Sequence, residues 1–251
     1  MVDLFEEVEE QLRSDRYKSL ALKAVPWIAG LLALALVVAL GVWGWQAYNR
    51  RAHTQASETY AQAMEAFGRQ DREAAMRLWG EVAQSPSKGY KTLALMQQGG
   101  VSQSEGKTEA AVKFFDEAAK AAPNPLLADA ARLKSALALL DTAPYKEMEA
   151  RLTPLTEEGR PYRAQAREAL AFAKLMAGNV AGAREDFVII RNMLDAQEGA
   201  RQRAAAAIEL IDSGGAKGVP AAVKAAASLP PASAPSAGGA SAPQQQAPGP
   251  Q

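Results

Sequence analysis

Cysteine is absent from the 251 residues. That excludes a disulfide framework, thiol catalysis, cysteine–zinc sites, c-type haem attachment and a lipoprotein lipid anchor. Histidine occurs once, at His53, too few for a histidine metal site or a histidine pair in catalysis. Aromatic residues make up only 6 % of the chain while alanine is abundant, a balance that favours helices over sheets. An excess of either charge is also lacking: 28 Lys and Arg balance 28 Asp and Glu. No overall basic field therefore draws the chain to nucleic acid. The length leaves room for one or two domains.

What is present is first a long apolar run. Val25 to Trp45, "VPWIAGLLALALVVALGVWGW", carries no charge, and about 20 such residues span a bilayer as a helix. Trp27 lies at one edge and Trp43, Trp45 and Tyr48 at the other, the arrangement of an interfacial aromatic belt. The start is too long and acidic, and the run too extended, for a cleaved signal peptide. Arg13, Arg16, Lys18 and Lys23 precede the run and Arg50 and Arg51 follow it, so the positive-inside bias places the N-terminus in the cytoplasm. His53 then reads as an ordinary juxtamembrane residue.

Ahead of the span, Leu4, Phe5, Val8 and Leu12 fall on one face of a helix, with acidic residues leading and basic ones following. This reads as a short solvated or interfacial helix. Within the span, Ala29/Ala33 and Ala35/Ala39 have the small-xxx-small spacing that permits self-association into a homo-oligomer.

Beyond the membrane, Gly106-Lys107-Thr108 has the last three letters of a P-loop. The glycine required five residues earlier is replaced by Val101, and the preceding "KTLALMQQ" is helical in character. A repeat explains the tripeptide instead. In Thr92–Pro125, Leu95, Gly99, Ala111, Phe115, Ala118 and Pro123 fall on the offsets of the 34-residue tetratricopeptide pattern. Gln98 and Ser102 miss the positions that usually hold leucine and tyrosine. Gly99 and Ala111 let two antiparallel helices approach, Phe115 fills the gap between neighbouring units, and Pro123 stops the second helix. Gly106 belongs to the turn between the helices.

The pattern recurs. Ala74, Leu78 and Pro86 lie 37 positions before Ala111, Phe115 and Pro123, although Ala75 and Trp79 fit as well. Gly178, Ala183 and Phe187 give a further copy, 72 positions on. Met148 and Leu152 mark a degenerate copy between them. "EGARQRAAAAIELI" follows as a capping helix. From Ser213 onward half of the prolines occur, no aromatic appears and Lys217 and Lys224 are the only charges. Such a segment cannot offset its ordering entropy and is expected to be disordered.

Constellations for chemistry are scarce. Glu157-Glu158 and Glu185-Asp186 read as solvated helix faces or end charges, and no cofactor, metal site or catalytic group is expected. What remains is binding. The first helices of tetratricopeptide units line a groove that accepts a peptide or partner helix, and Tyr60, Phe67, Met96, Phe172 and Met176 come from those helices. Packing between units is the other place for the same side chains.

The amphipathic "DLFEEVEEQLRSDR" leader, the span ending "VWGWQAY" and a repeat region ending "AREALAFAKLMAGNVAGAREDFVIIRNM" together resemble the bacterial ancillary SecYEG translocon subunits with tetratricopeptide-like periplasmic domains. The resemblance covers about residues 3 to 210. It implies a non-enzymatic protein of the bacterial inner membrane, held beside the protein-conducting channel. Translocon subunits, a periplasmic chaperone such as a prolyl isomerase, or emerging chains would be its partners. An envelope scaffold for cell-division or cell-wall machinery is the alternative. The expected architecture is all-α: a cytoplasmic leader (1–24), a transmembrane helix (25–46), a tetratricopeptide-like solenoid (47–212) and a disordered Pro/Ala/Gly-rich tail (213–251).

Overall fold

The computed structural model describes residues 3–221, with side chains described at Trp27 and from Gly30 onward. The apolar face expected of the leader and the tail from residue 222 lie outside what is described. Among the described residues the secondary structure is helical throughout, without strands. The helices are α1 (Asp3–Gly68), α2 (Arg72–Ala83), α3 (Lys88–Ser104), α4 (Thr108–Ala121), α5 (Pro125–Ala138), α6 (Tyr145–Leu152), α7 (Arg163–Met176), α8 (Val180–Asn192) and α9 (Glu198–Asp212). Short 3-10 turns lie at Thr153–Leu155 and Gly215–Gly218. The chain divides into two compact units, one ending at Ala128 and the other beginning at Asp129.

The first unit is built on α1, whose 66 residues amount to roughly 100 Å of helix. Leader, apolar run and first repeat helix are one uninterrupted element, with no break at the expected boundaries near residues 24 and 46. From Gly30 its apolar part is long enough to cross a membrane, with a mean hydropathy of 1.8 over an 18-residue window and no part of that window buried. Trp27, Trp43, Trp45 and Tyr48 are likewise exposed. Past Tyr48 the pattern changes from apolar on all sides to a single buried stripe of Ala56, Ala63 and Ala66. Those alanines, with Ala75, Trp79 and Val82 of α2 and Ala94 and Val101 of α3, form the core of the unit. The second unit has two large clusters beside a small one of Ala164, Met193 and Ala196. One joins Leu133 and Ala136 of α5 to Met148 and Leu152 of α6, Leu155, and Ala166 and Ala169 of α7. The other joins Ala171 and Leu175 of α7 to Ala183, Phe187 and Ile190 of α8 and to Ala200, Ala204 and Ile208 of α9.

The structure corrects the repeat register. Ala75 and Trp79 are fully buried, whereas Ala74 and Leu78 only flank the cluster. The first copy therefore stands 36 residues before Ala111 and Phe115, and Ala183 and Phe187 stand twice that interval after them. Turns repeat with the same interval: Gln70, Gly106, Gly178 and Gly214 all have positive φ, between 65° and 80°. The second helix of a hairpin begins just beyond each of the first three, and the side chains of Asp71 and Asn179 accept hydrogen bonds from the N–H groups of Ala74 and Gly182. Midway between Gly106 and Gly178 the register reaches Thr142, which lies in a differently closed turn followed by the eight-residue α6. This is the degenerate copy. Gly214 follows α9 at the repeat's own interval, so α9, the expected capping helix, stands at the first-helix position of the register. Ala216, four residues past the expected Asp212 boundary, is buried in that core.

The Phe115 ring lies over Gly99 inside its own hairpin, in space that exists because Gly99 has no side chain. Gln98 is buried in the position usually held by leucine, and its amide donates to the Met76 carbonyl of α2 at 3.2 Å. Ser102 is buried with its hydroxyl on the Gln98 carbonyl. Pro123 is exposed, two residues past the end of α4.

Of the four positive-φ turn residues, only Gln70 carries a side chain. An L-residue there costs about 1 kcal/mol relative to glycine. Gln70→Gly should therefore stabilise the chain, by about 0.5–1 kcal/mol, as measured by chemical denaturation in detergent. Gly178→Ala, at φ 79°, should have the opposite sign.

Candidate protein-binding surface

In the first unit the seam between α1 and α3 is polar. The hydroxyl of buried Ser87, at the start of α3, shares a 2.7 Å hydrogen bond with Nδ1 of His53. One turn on, the Tyr90 hydroxyl donates to Ser57 Oγ at 2.8 Å. Beyond it the Gln97 amide donates to the Tyr60 hydroxyl at 3.1 Å. The Tyr60 and Tyr90 rings lie 5.8 Å apart, tilted by 50°. Tyr60 is thus half-buried and committed at both its ring and its hydroxyl. His53, read as an ordinary juxtamembrane residue, is a structural link between the two helices. None of these contacts was anticipated from sequence. The available signal was pairing of polar residues at separations of 33 to 37, close to the repeat period.

Of the other first-unit candidates, Phe67 is the more accessible. Phe67 is 41 % exposed while its ring meets that of Trp79 at 5.5 Å. Met96 is half-buried on α3. Both therefore offer apolar surface from a fixed backbone.

In the second unit Phe172 is 38 % exposed and meets the Phe187 ring edge-on at 5.4 Å. Met176, half-buried, lines a cleft of about 210 Å³ with Leu140, Tyr145 and Met148. The Tyr145 phenol is pushed up to about 12, chiefly by burial and then by its 2.8 Å hydrogen bond to the Glu149 carboxylate.

Charged side chains hold the helices around these aromatics. Arg203 of α9 grips Glu168 of α7 through two bonds of 2.7 and 2.8 Å, and that hydrogen bonding raises the arginine's pKa further. Arg184 of α8 clasps Asp212 in the same two-pronged way, which holds the aspartate below its ordinary value. Asp186 of α8 accepts from Arg167 at 2.8 Å and from Lys174 at 2.6 Å, both on α7. Asp186 is buried, contrary to its reading as a solvated or end charge, whereas Glu185, Glu157 and Glu158 are exposed as that reading has them.

These ion pairs tie α7, α8 and α9 together. Among the described residues no three His, Asp or Glu side chains cluster as a metal ion would require. What the arrangement provides is a set of rigid helices with isolated aromatic and methionine side chains at their surface, the composition of an adaptable protein-binding face.

A family model described as tetratricopeptide repeat-like domain matches residues 24–211. No curated protein and no solved structure matches the chain significantly. Fold, repeat interval and family match agree on a helical-repeat module of the kind that binds proteins. The chain belongs to the tetratricopeptide repeat-like domain family.

Proposed function

We propose that this protein is a non-enzymatic accessory of the Sec translocon in the bacterial inner membrane. Its N-terminus lies in the cytoplasm, its apolar helix spans the bilayer, and its repeats act in the periplasm on emerging chains or on a recruited chaperone. The observation that carries this reading is the continuity of α1 from the Trp27 end of the apolar run to Gly68. A repeat domain grown directly on a membrane helix has no slack, so its binding surface stays close to the membrane. Confinement of that kind raises the effective concentration of a weak binder and makes modest affinity sufficient.

Phe67, Met96, Phe172 and Met176 form the partner-binding surface in this reading, and Tyr60 supports it from the α1–α3 seam. Photocrosslinking residues placed at Phe67 and Phe172, followed by purification from native membranes in mild detergent, test the proposal. Crosslinks to translocon subunits, an associated chaperone or secreted chains are the expected result. Co-purification after light chemical crosslinking should recover the same partners and should fail for a chain lacking residues 48–251. Crosslinks confined to cell-division or cell-wall proteins would replace the translocon role with that of an envelope scaffold. Labelling of the repeats by cytoplasmic reagents alone would overturn the periplasmic placement.

A further inference from the structure

We infer that the membrane-facing end of the first unit is a docking surface for anionic phospholipid headgroups. The inference rests on the reading of α1 as a membrane anchor. If α1 rises from the bilayer at Tyr48, antiparallel α2 must return toward it, α3 must rise and α4 must return. The α2–α3 loop and the end of α4 therefore face the membrane. The height of that loop is fixed, because Ser87 is hydrogen-bonded to His53. Five residues separate His53 from Tyr48, about 8 Å along the helix, comparable with the screening length at physiological salt.

Charge is distributed unevenly between the two ends of this unit. Arg50, Arg51, Lys88, Lys91 and Lys120 occupy the membrane-facing end against Glu81 and Glu117, a net positive charge. The far end carries Arg69, Arg72 and Lys107 against Glu65, Asp71, Glu73, Glu105 and Glu109, a net negative charge. The two ends also differ in pairing. At the far end Arg69 binds Glu65 and Lys107 binds Glu105. At the membrane-facing end Arg51, Lys88, Lys91 and Lys120 have no ion-pair partner among the described residues.

The surface is concave as well as basic. Tyr48, Arg51 and Gln55 of α1 line a cleft of about 390 Å³ with Gln84, Ser85 and Pro86 of the loop. Lys88, Lys91 and Lys120 line a neighbouring cleft of about 320 Å³ with the same Ser85 and Pro86. Ser85 Oγ, common to both, is buried without a hydrogen-bond partner. Unpaired cations and the interfacial Tyr48 meet where headgroup phosphates would lie, and phosphate pairs with those cations. Lipid contact here would set the tilt of the repeat domain above the bilayer.

The absence of native cysteine makes the test clean. Full-length Gln84→Cys and Gln70→Cys chains, each carrying a fluorophore, are placed in nanodiscs containing a trace of headgroup-quencher lipid. The discs are either phosphatidylcholine alone or one third phosphatidylglycerol. Quenching at position 84 should rise at least about twofold with phosphatidylglycerol and fall back in high salt. Position 70 should not respond.

Lys88→Gln/Lys91→Gln/Lys120→Gln should abolish the lipid response while leaving helicity unchanged, since these lysines are at least partly exposed. Equal quenching at position 84 in both lipids would overturn the docking surface and leave the anchor intact. Failure of the chain to co-elute with either disc would instead overturn the anchor reading, and the docking surface with it.

Discussion

Phe115→Ala should destabilise the chain by about 3–5 kcal/mol, the range for truncating a buried aromatic. The ring is fully buried, and a methyl group added at Gly99 would lie 2.6 to 2.9 Å from three of its carbons. Glycine and ring therefore form a matched pair, with the ring occupying the volume that a side chain would otherwise fill. Gly99→Ala should accordingly cost about 1–3 kcal/mol through overpacking, although alanine is the better helix former. Gly100 is the control. A Cβ there meets nothing within 4 Å, so Gly100→Ala should stabilise by about 0.5–1 kcal/mol. Combining Gly99→Ala with Phe115→Leu should cost less than the two single changes together, because both act on one volume. Urea denaturation of all variants measures each term. Equal effects at Gly99 and Gly100 would rule out the ring-on-glycine contact.

Asp186→Ala is the second large effect, about 3–5 kcal/mol. The carboxylate is 5 % exposed and bridges Arg167 and Lys174, which are themselves only 21 % and 19 % exposed. Its removal leaves two half-buried cations facing each other across the α7–α8 contact without a counter-charge. Asp186→Asn keeps one acceptor and should lose less. Glu185→Ala, one residue away and exposed, should stay within about 0.5 kcal/mol of the parent. The same denaturation experiment decides the matter: similar losses at 185 and 186 would show that the bridge does not carry stability.

The sequence made the hairpin of Gly99, Ala111 and Phe115 legible because close helix packing needs small residues opposite a large one, and residue type records that directly. It left the first copy ambiguous by one position, since Ala74 and Ala75, and Leu78 and Trp79, satisfy the same apolar pattern. Burial of Trp79 resolved it. Asp186 was missed because an acidic pair on a helix looks solvated by type. Its helical phase with Ala183 and Ile190 was the clue, as all three are buried on α8. The seam of His53, Ser57, Tyr60, Ser87, Tyr90 and Gln97 had no such clue in any single stretch, because each residue is ordinary at a surface and only the pairing distinguishes it. Candidate binding residues were legible as types on first helices, but the commitment of Tyr60 to Gln97 and Tyr90 depends on contacts between helices.

In the proposed membrane placement, the unbroken α1 makes the first unit a lever with its fulcrum in the bilayer. From Tyr48 to Gly68 the helix extends about 30 Å, so a tilt of about 20°, ordinary for a membrane helix, swings its tip sideways by roughly 10 Å. A hinged linker would absorb that motion, whereas a continuous helix clamped to α3 by the hydrogen bonds of Ser87, Tyr90 and Gln97 would deliver it to the first unit. In this arrangement bilayer thickness becomes a mechanical input, converted by the anchor's angle into the reach of the surface it carries.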